Sequence, residues 1–391
     1  MDRPAHSLLD GFTVLDLSSV GPASRCSRIL ADYGATVIKV LPPPRQSAVQ
    51  IQPPFFAYSA NRGLKRVHID LKAADGTAAF LRLAAAAEVV IESFRPGVVD
   101  RLGIGYEAVR RVNERIVYCS TSGYGQTGPR AQWAGHDLNY LAVGGLLHCA
   151  GRRSDGGPAI PGATVADSAG GGLHAVIAIL AALLRRSVAG QGAYLDVSVA
   201  EGVLFLTSLY IDQHLATGEE PGPGHDILTG RYACYDVYQA RDAKWLAVGI
   251  VEPAFFANLC TALGLEQWIP YQTDDARQDE IRAALRTAFA RRDRDDWVAE
   301  LAPRNTCVAP VYSIPELLRD PQFLSRKVWI DATHVQRGGF RQVGPILAGM
   351  DRSQSKTVLP DSATTDTDEL LLGVGVTEPQ IAQLRRDGVV A

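Results

Sequence analysis

His136 and Asp137 set a base and an acid side by side, and a second acid, Asp167, follows 31 positions later. Directly after it come Ser168, Ala169 and three glycines, Gly170, Gly171 and Gly172. An imidazole working near neutral pH, a carboxyl able to share its proton, and backbone that something must approach closely would together suit proton transfer on a bound small molecule. Each part also has a plainer explanation. An acid opening a helix is an N-cap, stabilising by about 1 kcal/mol. A histidine beside an aspartate is commonly a structural pair, and Gly-His-Asp occurs twice, at Gly135–Asp137 and Gly224–Asp226. The glycines argue for more than a cap. Each costs a helix about 1 kcal/mol relative to alanine, so a ligand or another helix must need that backbone. A helix start also offers free N–H donors and partial positive charge to an anion.

The elements that would position these residues read as an α/β chain. Thr13–Leu17 is a buried strand, the turn SSVGPAS places Pro22 to open a helix over Ala23–Tyr33, Gly34 stops it, and Thr36–Val40 is a second strand. Such a strand–helix–strand start belongs to doubly wound folds. Its first turn is not GxGxxG, and Lys39 stands near the end of the second strand, where a nicotinamide binder would want an acid. A dehydrogenase is therefore disfavoured, and Lys39 would rather meet a phosphate. VHIDL, Val89–Glu92, Ile116–Ser120 and Tyr194–Val199 are further strands, with helices expected over Ala73–Ala87, Ser168–Arg186 and Glu201–Thr217. Arg62, Arg95 and Arg101 fall at or beyond strand ends, along the edge where open α/β sheets bind ligands. TGEEPGPG, Thr217–Gly224, is the strongest linker signal. Beyond it lie a hairpin, Tyr235–Gln239 with Lys244–Gly249, and helices over Glu252–Leu263, Gln278–Arg291 and Asp295–Leu301. The expected division is a large Rossmann-like domain, residues 1–220 completed by 330–391, and a smaller α+β domain, residues 221–329. Two short helical patterns near the end should dock on the large domain.

Composition narrows the function. With 391 residues, 47% of them apolar, the chain can bury a large core, and its net charge of −3 argues against a nucleic-acid partner. Six widely spaced cysteines without a CxxC give neither a disulfide framework nor a zinc site, and no metal or separate cofactor is expected. The start lacks the plan of a signal peptide, and the longest apolar run, Ala175–Leu184, is too short for a bilayer span of about 20 residues, so a cytoplasmic protein without membrane association is expected.

Six blocks carry a resemblance along nearly the whole chain: VLDLSSVGPASRCSRILADYGATVIKV, IESFRPGVVDRLGIGYE, TSGYGQTGPRAQWAGHDLNYLAVGGLL, VADSAGGGLHA, YDVYQARDAKWLAVGIVEPAFF and TDTDELL. The sequence resembles the α-methylacyl-CoA racemase branch of the family III CoA-transferase superfamily. The Arg95 and Asp167 blocks are similar to the superfamily at large; AGHDLNYLA and GIVEPAFF are similar to the racemase branch. The resemblance implies that His136 and Asp167 face each other across the α-carbon of an acyl-CoA thioester, and that Glu252 is paired with the histidine. Coenzyme A, part of the substrate rather than a cofactor, would lie along the first domain, with Arg62, Arg95, Arg101, Asp137 and Tyr140 in the contact regions; Lys39, Glu92 and Gly135 complete the expected binding set. It further implies an interlocked homodimer whose sites combine the large domain of one chain with the small domain of the other. The glycine run would then seat the thioester oxygen. Two departures stand out. Pro42 occupies a position where these racemases usually carry arginine, leaving Arg45 as the substitute, and only Met1 and Met350 are available where a methionine-rich acyl surface can occur. A particular, more rigid acyl group is expected. Two alternatives to racemisation are CoA transfer with Asp167 as nucleophile and acyl-CoA binding without chemistry.

Overall fold

Alternate residues of each strand face opposite ways, and this chain uses that to bury both sides of one sheet. The computed structural model describes residues 7–44, 54–353, 356–361 and 364–391; Arg45 lies outside them. β1 (Thr13–Asp16), β2 (Thr36–Leu41), β3 (Lys65–His68), β4 (Val89–Glu92), β5 (Val117–Ser122) and β6 (Ala193–Ser198) form a six-stranded parallel sheet ordered β3-β2-β1-β4-β5-β6. The order reverses between β1 and β4, the switch point of a doubly wound fold. Val14, Val37, Val89 and Val117 pack on one side with Ala23, Cys26 and Leu30 of α1 (Gly21–Asp32). Their neighbours Leu15, Ile38, Val90 and Tyr118 pack on the other with Phe80 and Leu83 of α2 (Ala74–Ala85). Leu371 and Ile381, from the helices Thr367–Gly373 and Glu378–Arg386, complete that second core, so the tail docks as its pattern predicts.

α3 (Asp137–Val143) follows β5. Ala166–Leu173 then winds as a π-helix and continues without a break into α4 (His174–Ala189), whose Ala175, Val176, Ile179 and Leu183 join the α1 side of the sheet. The combined helix, 24 residues, is longer than the apolar run within it and meets the length and composition of a membrane span, with one face buried here against protein. The helix expected over Glu201–Thr217 is broken: α5 (Val199–Leu206) ends at Thr207, whose hydroxyl turns to the carbonyls of Val203 and Gly144.

The chain divides into two compact units, Met1–Leu146 with Pro161–Ser208 and Gln322–Ala391, and Leu147–Ile160 with Leu209–Pro321. Relative to the sequence expectation, the smaller unit begins at the Thr207 break rather than at the Gly-Pro linker and takes in Leu147–Ile160. It has its own antiparallel sheet, β7 (Tyr235–Gln239), β8 (Trp245–Gly249) and β9 (Val308–Pro310), packed on α6 (Pro253–Leu263), α7 (Gln278–Phe289) and α8 (Arg294–Leu301) through Tyr238, Leu246, Phe256, Ile281 and Trp297. The larger unit adds a second small sheet from Trp329–His334, Gly338–Val343 and Lys356–Leu359.

Candidate active site

A loop and a helix start meet at one hydrogen bond. The Asp167 amide donates to Asp137 Oδ1 at 2.8 Å, so the acid of the first Gly-His-Asp copy holds the first turn that carries the second acid. His136, exposed and extended, immediately precedes α3 and donates its amide to Asn139 Oδ1 at 3.0 Å. Behind the loop, the buried Tyr140 donates its hydroxyl to the Gly135 carbonyl at 2.6 Å and sets its ring edge-on to Tyr124 at 5.2 Å. A Cβ on Gly135 would stand 2.8 Å from the Tyr140 ring, so Gly135 and Tyr140 hold the loop in shape from beneath.

Asp167 is largely shielded, its side chain 18% exposed. Burial raises its pKa, Arg25 works against that rise, Asp137 adds to it and His136 opposes it. A carboxyl pushed upward spends more of its time protonated, which is what a group that must both accept and give a proton needs.

Arg25, which sequence reasoning passed over, is the cation beside this acid. Its Nη1 lies 4.0 Å from Asp167 Oδ2, its Nε donates to Ser168 Oγ at 3.0 Å and its Nη2 to Thr164 Oγ1 at 2.7 Å. The guanidinium stands 5.3 Å from the centre of the Tyr58 ring, and Tyr58 Oη accepts the Gly21 amide at 2.7 Å. Tyr58 opens a run of four non-glycine residues in the left-handed region, Tyr58, Ser59, Ala60 and Asn61, with φ of 50, 53, 54 and 50°. Each such residue costs about 1–2 kcal/mol. The available signal was the spacing: Arg25 lies four residues past Gly21, one turn into the first helix.

The glycine run serves helix contact. A Cβ on Gly171 would come within 2.5 Å of Pro22 Cβ, one on Gly172 within 3.0 Å of Arg25 Cβ, and one on Gly170 within 3.0 Å of the Val199 carbonyl. From the opposite side, a Cβ on Gly202 of α5 would meet the Gly170 carbonyl at 1.8 Å. The three glycines are buried between α1 and α5, which corrects the expectation of an open seat for a thioester oxygen. Of the two explanations the sequence left open, close approach of another helix accounts for them.

Several expected binding residues are committed elsewhere. Lys39 is buried, 5% exposed, with Nζ 2.5 Å from Asp16 Oδ2 and further bonds to the Ser18 carbonyl and Ser24 Oγ, so its charge is spent at the sheet switch point and does not meet a phosphate. Arg62 donates from Nη2 to both oxygens of Asp32 at 2.8 and 2.7 Å and from Nη1 to the Val343 carbonyl, which removes it from the free cations of the edge. Glu92 is sealed at the end of β4, where it accepts the Phe94 amide at 2.7 Å; burial pushes its pKa up to about 7. Arg95 and Arg101, just beyond, are exposed. Glu252 belongs to the smaller unit, where it is exposed and directly precedes α6. The larger unit thus brings together His136, Asp137, Tyr140 and Asp167. Among the described residues no group of three or more His, Cys, Asp or Glu side chains is arranged to hold a metal.

Residues 9–361 match the profile of CoA-transferase family III. The α-methylacyl-CoA racemases of Mus musculus and Homo sapiens are each 32% identical, over 98% of this chain and 97% of theirs. The acetyl-CoA:oxalate CoA-transferase of Acetobacter aceti is 31% identical over 84% of this chain and 87% of its own. Among solved structures, a CAIB/BAIF family protein from Brucella suis superposes with a TM-score of 0.76 at 27% identity, covering 94% of this chain and all of that one.

Proposed function

Given that this chain belongs to CoA-transferase family III, we propose that it is a racemase interconverting (2R)- and (2S)-2-methylacyl-CoA thioesters. The observation that carries the reading is the joining of His136 and Asp167 through Asp137: an imidazole and a carboxyl of raised pKa are held on neighbouring turns by the Asp167 N–H···Asp137 bond. In one direction His136 takes the α-proton, the C–H electron pair moves into the thioester carbonyl to give an enolate, and protonated Asp167 returns a proton to the opposite face. In the other direction the roles exchange. No net proton is gained or lost, and the state of the pair after each turnover is reset by solvent.

Arg95 and Arg101 are the proposed contacts to the CoA phosphates, since both are exposed beyond β4 on the carboxyl edge of the sheet, where such ligands bind. Glu252 is the proposed partner that orients His136, reaching it from the smaller unit of a second copy in an interlocked dimer. A carboxylate of that kind would fix the tautomer that leaves the reacting nitrogen free to accept a proton.

The test is incubation of a single epimer in deuterated water over short and long acyl chains. Deuterium uptake at the α-carbon with appearance of the other epimer is expected, and both are lost in His136→Ala and Asp167→Asn. Absence of uptake and of epimer formation in the wild type rejects racemisation. The transferase relatives give a second reading weight: Asp167 would attack the acyl donor and exchange CoA through an anhydride. Hydroxylamine trapping of an acyl group on Asp167, with transfer surviving His136→Ala, would select it.

A further inference from the structure

We propose that Arg25 is a positioning residue of the proton-transfer site, locking the turn that carries Asp167 and holding a compensating positive charge against its carboxyl. The proposal rests on the racemase reading for its rate consequences, but its geometry stands alone. Thr164 and Ser168 lie on either side of Asp167, one turn apart, with the Ser168 amide bonded to the Thr164 carbonyl at 3.0 Å. Arg25 spans them, Nε to one hydroxyl and Nη2 to the other, so a planar fork with five fixed donors clamps the turn from outside. A third bond, Nη1 to the Gly21 carbonyl at 3.4 Å, returns to its own helix.

Two further features serve the same contact. Gly171 and Gly172 let α1 approach until Pro22 and Arg25 lie against the π-helical turn; a side chain at Gly171 would press on Pro22 and one at Gly172 on Arg25. On the other face Tyr58 supports the guanidinium with its ring and fixes the start of α1 through Gly21, and the left-handed run Tyr58–Asn61 is what presents it. A strained backbone kept beside a charged contact points to a constraint from function rather than from packing alone. The charged and titratable groups facing Asp167 are Arg25 from α1 and His136, Asp137 and Tyr140 from the loop and helix opposite. Arg25 outweighs His136 among those that favour ionisation, and burial acts against both. Without the arginine Asp167 would stay protonated to higher pH and so would serve as the base in one direction only at higher pH.

The experiment compares wild type, Arg25→Gln and Arg25→Lys by two readouts. The first is the pH dependence of carbodiimide modification of Asp167, followed by peptide mass mapping, which reports the protonated carboxyl whether or not the protein racemises anything. The second is the pH profile of α-deuterium exchange. In Arg25→Gln the modification profile should move up by about one pH unit or more, as expected on losing an opposite charge some 4 Å away. The acid limb of exchange should move with it. In Arg25→Lys the charge remains but one ammonium cannot bridge both hydroxyls. There the modification profile should stay near wild type while kcat falls roughly tenfold to a hundredfold with little change in KM. Should Arg25→Gln fail to fold, this Lys pattern decides by itself. Unmoved modification profiles in Arg25→Gln, or equal loss of rate in both variants with the acid limb fixed, would overturn the proposal. A wild type without exchange but with the expected modification shift rejects the racemase reading and leaves the positioning of Asp167 standing.

Discussion

Replacing Glu92 by glutamine should make the protein more stable at alkaline pH and leave it nearly unchanged at acid pH. Glu92 is 1% exposed at the end of β4, and its carboxylate accepts the Phe94 amide, a bond that a glutamine carbonyl oxygen can also accept. Burial raises its pKa from the ordinary 4.5 to about 7. A group that binds its proton more tightly when folded contributes stability below the unfolded pKa, and that contribution fades as pH rises through the folded one. Between about pH 4.5 and about pH 7 the folded wild type should therefore lose about 3 kcal/mol, the free energy that a displacement of this size represents. Glu92→Gln carries no proton to lose. Urea unfolding of both proteins at half-unit steps from pH 4.5 to 8.5 should show their stabilities converging at the acid end and the variant leading by up to about 3 kcal/mol at the alkaline end. A difference that stays constant across the range, or a variant weaker at pH 8 than at pH 5 relative to wild type, would refute the assignment of a neutral buried carboxyl.

Lys39→Met should cost about 3 kcal/mol or more in urea unfolding, because it strands Asp16 in a buried place with only hydroxyl and amide donors. Gly171→Ala should lose about 1–3 kcal/mol despite alanine's better helix propensity, since its Cβ would press on Pro22; thermal unfolding checks this, and exchange activity should fall as α1 is displaced. Arg95→Ala and Arg101→Ala should each raise KM for acyl-CoA about tenfold with kcat and melting temperature unchanged, as steady-state kinetics and a thermal scan would show. Raising the salt concentration should weaken acyl-CoA binding by wild type more than by either of these variants, measured by calorimetric titration.

The fold was largely legible because its signals are local. Alternation in TVLD and TVIKV, the Gly-Pro opening of α1 and the glycine that stops it each specify their element without outside help. The site was half legible. His136 and Asp167 announce themselves by type and spacing, but the bond that joins them through Asp137 depends on how α3 meets the π-helical turn. Lys39 and Arg62 misled for the same reason. Their partners, Asp16 and Asp32, lie 23 and 30 residues away along the chain, and only the folded sheet shows that the charges are already spent. Arg25 was easily missed because its role needs two distant segments, around Tyr58 and over Thr164–Ser168, to converge on it.

The tail that seals the second core sets the order in which the molecule can be made. The Asp70 amide bonds to the Val389 carbonyl, Ile69 pairs with Val390, and Leu371 and Ile381 fill the face opened by Leu15 and Phe80. A growing chain therefore runs some 250 residues past β5 before the helices that complete this face, which α2 covers only in part, are made. The smaller unit, whose segments end at Pro321, can close while synthesis is still under way. During that interval the nascent large unit is the aggregation-prone part, and chaperone dependence should concentrate there. Removing the last two helices should consequently reduce soluble yield.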